Sequence, residues 1–167
     1  MYISVNHSLT QIITTKIEVP PHLCEYIRGK YCHLTSDPVR FPDNLDIYHV
    51  IFDLLQKRPS EAPVDRGNLE ICLPERSIGK SPVTYNYLGL RSQVIISRKI
   101  ELMMWAELHE YLDEQKHRYG IKYIDGVQFF MRRYGIDSLT EEAFLKHYQR
   151  WRAKVRRKEK RSYKKRE

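Results

Sequence analysis

Apolar residues alternate with polar ones in two short stretches of the N-terminal half. In residues 12–19, every second residue from Ile13 to Val19 is apolar or a threonine and would lie on one face, and residues 69–74 follow the same pattern. A period of two is typical of a strand with one buried face. Both stretches end at a proline, and we predict that they pair in one small sheet, with residues 85–88 as a candidate third strand.

Two helices are predicted between these strands. The Pro20-Pro21 pair suits the first turn of a short helix, which Gly29 is expected to end early. Apolar residues at helical spacing then predict a second helix over residues 46–57, which Pro59 stops.

The C-terminal half predicts three helices in succession. Helical spacing marks the first two over residues 93–119 and 123–134, and a glycine follows each of them. The third begins behind Thr140, a good N-cap followed by two acidic residues, and continues past Trp151.

Together these elements indicate an α+β fold. We expect residues 1–92 to form a small two- or three-stranded sheet with short helices. Residues 93–152 are expected to form a mainly helical part that ends in a helix-turn-helix-like pair. Residues 153–167 are a basic extension, and no linker separates them from the last helix.

The net charge of +8 is concentrated at the C-terminal end of the chain. Residues 152–167 hold ten of the 29 lysines and arginines and two of the 21 acidic residues, so residues 1–151 are formally neutral. A positive block of this density repels itself unless it meets a polyanion. We therefore expect a nucleic acid as the partner, with DNA favoured and RNA as the alternative.

A helical wheel divides the last helix into two faces. The apolar residues of one sector are expected to pack against the body: Phe144, Tyr148, Trp151 and Val155. The opposite face carries Lys146, Gln149 and Arg150. Glutamine and arginine are the side chains that form paired hydrogen bonds with adenine and guanine edges in a major groove.

The segment FFMRRYGIDSLTEEAF, residues 129–144, resembles helix-turn-helix modules of bacterial DNA-binding proteins, including those of phages and mobile elements. The likeness covers residues 123–155. It implies a sequence-preferring DNA-binding protein that serves as a regulator or accessory factor. The nucleic-acid-binding residues expected in this module and in the extension are Arg132, Arg133, Lys146, Gln149, Arg150, Lys154, Arg156, Arg157, Lys158, Lys160 and Arg161.

Clusters that would support other chemistry are incomplete. The cysteines and histidines closest in sequence have neither CxxC nor HxxxH spacing, so we expect no metal site: His22, Cys24, Cys32 and His33. Acidic residues around His109 could build a magnesium-dependent nuclease, but acids spread along a long helix usually form its wet face: Glu101, Glu107, Glu110 and Asp113. No nucleophile elbow, P-loop or dinucleotide motif occurs. We expect neither catalytic residues nor a cofactor.

Cysteine usage and hydropathy predict where the chain resides. Its three cysteines form no disulfide framework, the N-terminal stretch lacks the pattern of a signal peptide, and no uncharged 18-residue window occurs. We therefore expect a cytoplasmic protein without a membrane partner.

A homodimer through the long helix from Gln93 would suit a protein that reads paired half-sites on DNA. The alternative from another class is a protein-interaction scaffold with a basic localising tail.

Overall fold

The computed structural model describes residues 12–32 and 37–163, with side chains as far as Lys158. The fold is α+β, with a two-stranded sheet and a mainly helical C-terminal half. Its elements in chain order are β1 (Thr14–Ile17), α1 (Pro21–Tyr31), α2 (Asp46–Leu54), β2 (Leu69–Cys72), α3 (Leu90–Tyr119), α4 (Tyr123–Tyr134) and α5 (Glu141–Tyr163).

The two alternating stretches form the sheet that their pattern predicts. β1 pairs antiparallel with β2, with Thr15 opposite Ile71. Thr15 and Ile17 are buried whereas Lys16 is exposed, so the predicted inner face is confirmed. Residues 85–88 do not join this sheet, because Tyr87 forms only an isolated bridge to Gln56.

Helix α1 continues through Gly29 to Tyr31, so the prediction that Gly29 ends the helix is wrong. A Cβ atom at this position would lie 2.2 Å from the carbonyl oxygen of Tyr134. Gly29 therefore serves a close approach between α1 and α4 rather than a helix end. Helix α2 ends at Leu54, three residues before the predicted end, because Gln56 exchanges two backbone hydrogen bonds with Tyr87 at 3.1 and 3.2 Å.

One hydrophobic core joins the sheet, the short helices and the C-terminal helices. Helix α3 lies at its centre and packs against α1, α2 and α4. Gly126 of α4 faces Leu112 so closely that a Cβ would lie 2.8 Å from a Leu112 methyl carbon. The small residue near the start of α4 therefore brings α4 close to α3, and α5 packs against α4.

Glu107 ties three of these helices together. Its carboxylate accepts hydrogen bonds from the hydroxyls of Tyr26 and Tyr134 and forms an ion pair with Lys30. Burial works to raise the pKa of Glu107, but the hydrogen bonds from Lys30 and the two tyrosines outweigh it and hold the pKa below its usual value. The charged carboxylate therefore stabilises the junction of α1, α3 and α4. Among the helices of the described residues, none combines the length and the apolar character that a membrane span requires.

Candidate nucleic-acid interface

The turn between α4 and α5 is fixed from both sides. Gly135 has the left-handed conformation at φ 64°, and the N–H of Ile136 donates to the carbonyl of Met131 at 2.9 Å, as in a Schellman motif. The Glu25 carboxylate of α1 accepts hydrogen bonds from the backbone N–H groups of Asp137 and Ser138 at 3.0 and 3.1 Å. These contacts set the direction in which α5 leaves the turn.

The start of α5 is capped as the sequence predicts. The Thr140 hydroxyl accepts a hydrogen bond from the N–H of Ala143 at 3.3 Å. The Gln128 side chain of α4 donates to the Glu141 carboxylate at 3.1 Å, which links the two helices beyond their turn. The α4–α5 pair is therefore a defined unit with one buried and one exposed side.

The inner face of α5 packs into the core at Phe144 and Tyr148. Phe144 is fully buried, and its ring contacts those of Phe130 and Trp105 with centroids 6.2 and 5.4 Å apart. The Tyr148 hydroxyl donates to the Asp113 carboxylate, and burial together with this hydrogen bond raises the pKa of Tyr148 well above its usual value. The orientation of α5 predicted from the wheel is confirmed at these positions.

The predicted outer face of α5 is exposed. Lys146, Gln149 and Arg150 all lie on the side away from the core. Lys146 pairs with Glu142 one turn earlier at 2.8 Å, so part of its charge is already balanced on its own helix. The side chains of Gln149 and Arg150 therefore offer the stronger donors for an incoming ligand.

Beyond Val155, α5 leaves the body of the protein. Val155 is half-buried, and the next three side chains, Arg156, Arg157 and Lys158, are all exposed. Consecutive helical residues point about 100° apart, so these three exposed side chains span about 200° of the helix circumference. We call residues 156–163 the basic arm, which is about 12 Å long at the helical rise of 1.5 Å per residue. The helical backbone of the arm includes Lys160 and Arg161, whose side chains lie outside the described part.

The remaining predicted contacts lie at the base of the arm and at the end of α4. Lys154 is exposed one turn before Lys158. Arg132 and Arg133 are exposed in the last turn of α4, and the Arg133 guanidinium lies 5.5 Å from the centroid of the Tyr134 ring.

Four near-parallel rings support the base of the arm, a feature that the sequence did not predict. His147 of α5 stacks on Trp105 of α3 at 3.6 Å between centroids, and Trp151 stacks on His109 at 4.2 Å. The rings of His109 and His147 are nearly parallel with centroids 5.2 Å apart, and His109 Nε2 lies 3.2 Å from His147 Nδ1, a hydrogen bond in which one ring donates. We call these four residues the ring stack.

The pKa values of both histidines in the ring stack are lowered. Burial, with a smaller contribution from His147, lowers the pKa of His109 to about 4, although Asp113 opposes the shift. Burial also lowers the pKa of His147; Glu101 opposes this shift, and the positive charges of Lys154 and Arg150 add to it. Trp151 is half-buried rather than fully buried as the wheel predicts, because one side of its ring lies at a groove on the surface.

The acids considered for a nuclease are directed to different neighbours. Glu107 contacts α1 and α4, whereas Asp113 accepts from Tyr148 of α5. The thiols of Cys24 and Cys32 donate to the backbone carbonyls of Asn68 and Asp37, and His33 lies outside the described residues. Within residues 12–32 and 37–158, no group of three or more histidine, cysteine or acidic side chains is arranged to hold a metal ion.

Comparisons with models of protein families, with curated proteins and with solved structures give no match to this chain. What the surface of α5 can do is therefore inferred from its own residues.

Proposed function

We propose that this protein binds nucleic acid, with duplex DNA as the favoured ligand, through the outer face of α5 and the basic arm. The observation that carries the proposal is the end of burial in α5 after Val155, where Arg156, Arg157 and Lys158 are all exposed. This stretch belongs to the sixteen residues that hold the whole net charge of the chain. A rigid basic rod that extends from a neutral body is suited to a polyanion.

The charges of the arm favour a partner that neutralises them. Basic residues repeat four positions apart at Arg152 and Arg156, at Lys154 and Lys158, and at Arg157 and Arg161. Like charges at this spacing destabilise a helix by roughly 0.2–0.5 kcal/mol per pair. Phosphate contacts would remove this repulsion and release counterions, so binding and helix stability should rise together.

Contacts that position the protein differ from contacts that read bases. The basic arm, Lys154, Arg132 and Arg133 would contact phosphates, which fix register and carry no sequence information. Gln149 and Arg150 would contact base edges, because α5 fits the width of a major groove. The first turn of α5 is less suited to the backbone, since Glu141 and Glu142 are negative there. Within α5, the contacts with DNA would therefore be concentrated from Gln149 onward.

The biological role follows the resemblance of residues 123–155. The role we propose is that of a sequence-preferring regulator or accessory factor of a phage or mobile element. It would work in the cytoplasm, without a catalytic residue or cofactor. The fixed turn and the exposed polar face of α5 support it, because such a module needs a rigid helix with a free outer face.

Paired substitutions separate the two kinds of contact. The first variant, Arg157→Gln with Lys158→Gln, removes two arm charges, and the second, Gln149→Ala with Arg150→Ala, removes the candidate reading groups. Binding is titrated against a selected duplex and a random duplex at fixed salt. The first variant should weaken binding to both duplexes equally, whereas the second should cost roughly 1–3 kcal/mol on the selected duplex and little on the random one.

A matched control removes two exposed charges from the body. Arg66→Gln with Arg40→Gln changes the net charge as the first variant does, at exposed positions outside α3 and α5. Binding of this control to either duplex should stay close to that of the parent. Equal weakening by the control and the arm variant would contradict the proposal, since net charge alone would then explain binding. Preferential competition by RNA would identify RNA as the ligand instead.

A further inference from the structure

The N-terminal half of α3 carries an apolar surface that nothing in the described chain covers. Four large apolar side chains are exposed there: Leu90 at 81%, Val94 at 69%, Leu102 at 54% and Ile95 at 41%. Isolated exposed apolar residues are ordinary, but a row on one helix marks an interaction surface. This row is separate from the outer face of α5 and from the basic arm.

Two adjoining grooves follow the same side of α3. One, of about 460 Å³, is lined by Leu90, Val94 and Ser97, and the other, of about 600 Å³, by Leu102, Trp105 and the ring stack. Both grooves are lined by Arg98 and Glu101, which form the boundary between them. We call the surface from Leu90 to Trp105 the α3 stripe.

An ion pair lies at the centre of the α3 stripe. The Arg98 guanidinium contacts the Glu101 carboxylate at 3.0 Å, and 70% of the Arg98 side chain remains exposed. Apolar side chains flank this pair on both sides along the helix. Arg91 is a further exposed charge, near the N-terminal end of the stripe and away from this centre. A centre with one cation and one anion is complementary to itself after a half-turn.

We propose that two copies of this chain pair through their α3 stripes as an antiparallel dimer, with the two-fold axis midway between Arg98 and Glu101. Positions equally far from the axis on opposite sides then face each other. Arg98 of one copy faces Glu101 of the other, and the same contact is repeated by symmetry.

The same register brings apolar groups together. Val94 faces Trp105 of the second copy, and Ser97 faces Leu102. No like charges meet at the centre, which is the condition for a symmetric pair of helices. A helix pair of this length buries on the order of 1,000 Å², the size of weak and transient complexes, so we expect a weakly associating dimer.

The dimer carries two basic arms, one from each copy. In each copy, α5 packs next to the α3 stripe through the ring stack. The proposal does not rest on nucleic-acid binding, since the α3 stripe and the arm are different surfaces. A failure of either proposal can be recognised without the other when association is measured in the absence of nucleic acid.

Charge reversal tests the register. Arg98→Glu places four acidic groups at the centre of the dimer, and Glu101→Arg places four basic groups there. Each variant alone should dissociate at least about tenfold more readily than the parent in sedimentation velocity. An equimolar mixture of the two should form the heterodimer, seen as the intermediate mass by native mass spectrometry, because every charge then faces its opposite.

Two further variants serve as controls for this test. The double variant Arg98→Glu with Glu101→Arg should self-associate like the parent, and it carries the test if a single reversal fails to fold. Arg118→Glu disrupts a comparable exposed pair with Glu114 at the other end of α3 and should leave the dimer unchanged. A parent that stays monomeric at about 100 µM would overturn the proposal. A mixture that forms no heterodimer, or an Arg118→Glu variant as weak as the reversals, would overturn it as well.

Discussion

The two halves of α5 are both helical, but they differ in burial and in charge. Between Glu141 and Val155 the helix has one buried face, with Phe144 and Tyr148 in the core, whereas Arg156, Arg157 and Lys158 are all exposed. The first half is stabilised by apolar burial, and the second depends on continuity with the first. One helix can thus fix a direction at one end and present a charged ligand-binding rod at the other. This division predicts that substitutions in the first half change stability and substitutions in the second half change binding.

The largest effect on stability is expected from Phe144→Ala. Loss of a fully buried aromatic ring should lower the free energy of unfolding by roughly 3–5 kcal/mol, because the surrounding rings of Phe130 and Trp105 cannot close the cavity fully. Chemical denaturation followed by circular dichroism measures this change. A loss below about 1 kcal/mol would mean that α5 is not anchored by this face.

Trp151→Ala should have an intermediate effect. The ring is half-buried and stacks on His109, so its removal should lower the free energy of unfolding by about 2 kcal/mol. Trp151→Phe serves as the control, since it keeps a flat ring over His109 and should recover most of the loss. A variant as stable as the parent would show that the ring stack does not support the base of the arm.

The histidines of the ring stack should make stability depend on pH. The pKa of His109 in the folded protein, about 4, lies below its ordinary value of 6.5, so the unfolded chain binds more protons between these values. Stability should therefore fall as the pH drops from about 6.5 to 4, and His109→Gln should remove this part of the dependence. Thermal unfolding at several pH values tests it, and equal slopes for parent and variant would be the contrary result.

The smallest effect on stability is expected in the arm. Arg157→Gln with Lys158→Gln should change the free energy of unfolding by less than about 0.5 kcal/mol, because both side chains are fully outside the core. The same denaturation experiment measures it. A loss of more than about 1 kcal/mol would place the arm against the body and remove the contrast between the halves of α5.

Local patterns were sufficient to predict most of the elements. The alternation of residues 12–19 and the spacing of Phe144 and Tyr148 report directly on which face is buried, and both predictions are confirmed. The predicted end of α1 at Gly29 was wrong because a glycine in a helical sequence looks the same in two cases. It can end the helix, or it can allow a neighbouring backbone to approach closely. The backbone that it admits, at Tyr134, is far away in the chain.

The ring stack could not be predicted from the sequence for a related reason. His109 and Trp105 look like members of an ordinary apolar stripe, and His147 looks like a polar residue of the last helix. Their stacking depends on how α3 and α5 cross, which no local period determines. The exposed stripe of α3 was not predicted either, since a local pattern does not show which apolar residues of a helix stay uncovered in the fold.

The central claim is that the basic arm makes the electrostatic contacts with a nucleic acid. The most direct test is the dependence of the duplex-DNA affinity on salt, for the full chain and for a truncated chain that ends at Val155. On a double-logarithmic plot, truncation should reduce the steepness by about 0.9 for each phosphate that the arm neutralises in the full chain, and should weaken binding to random and selected duplexes alike. An unchanged slope would contradict the claim, because the charges that neutralise the phosphates would then lie elsewhere.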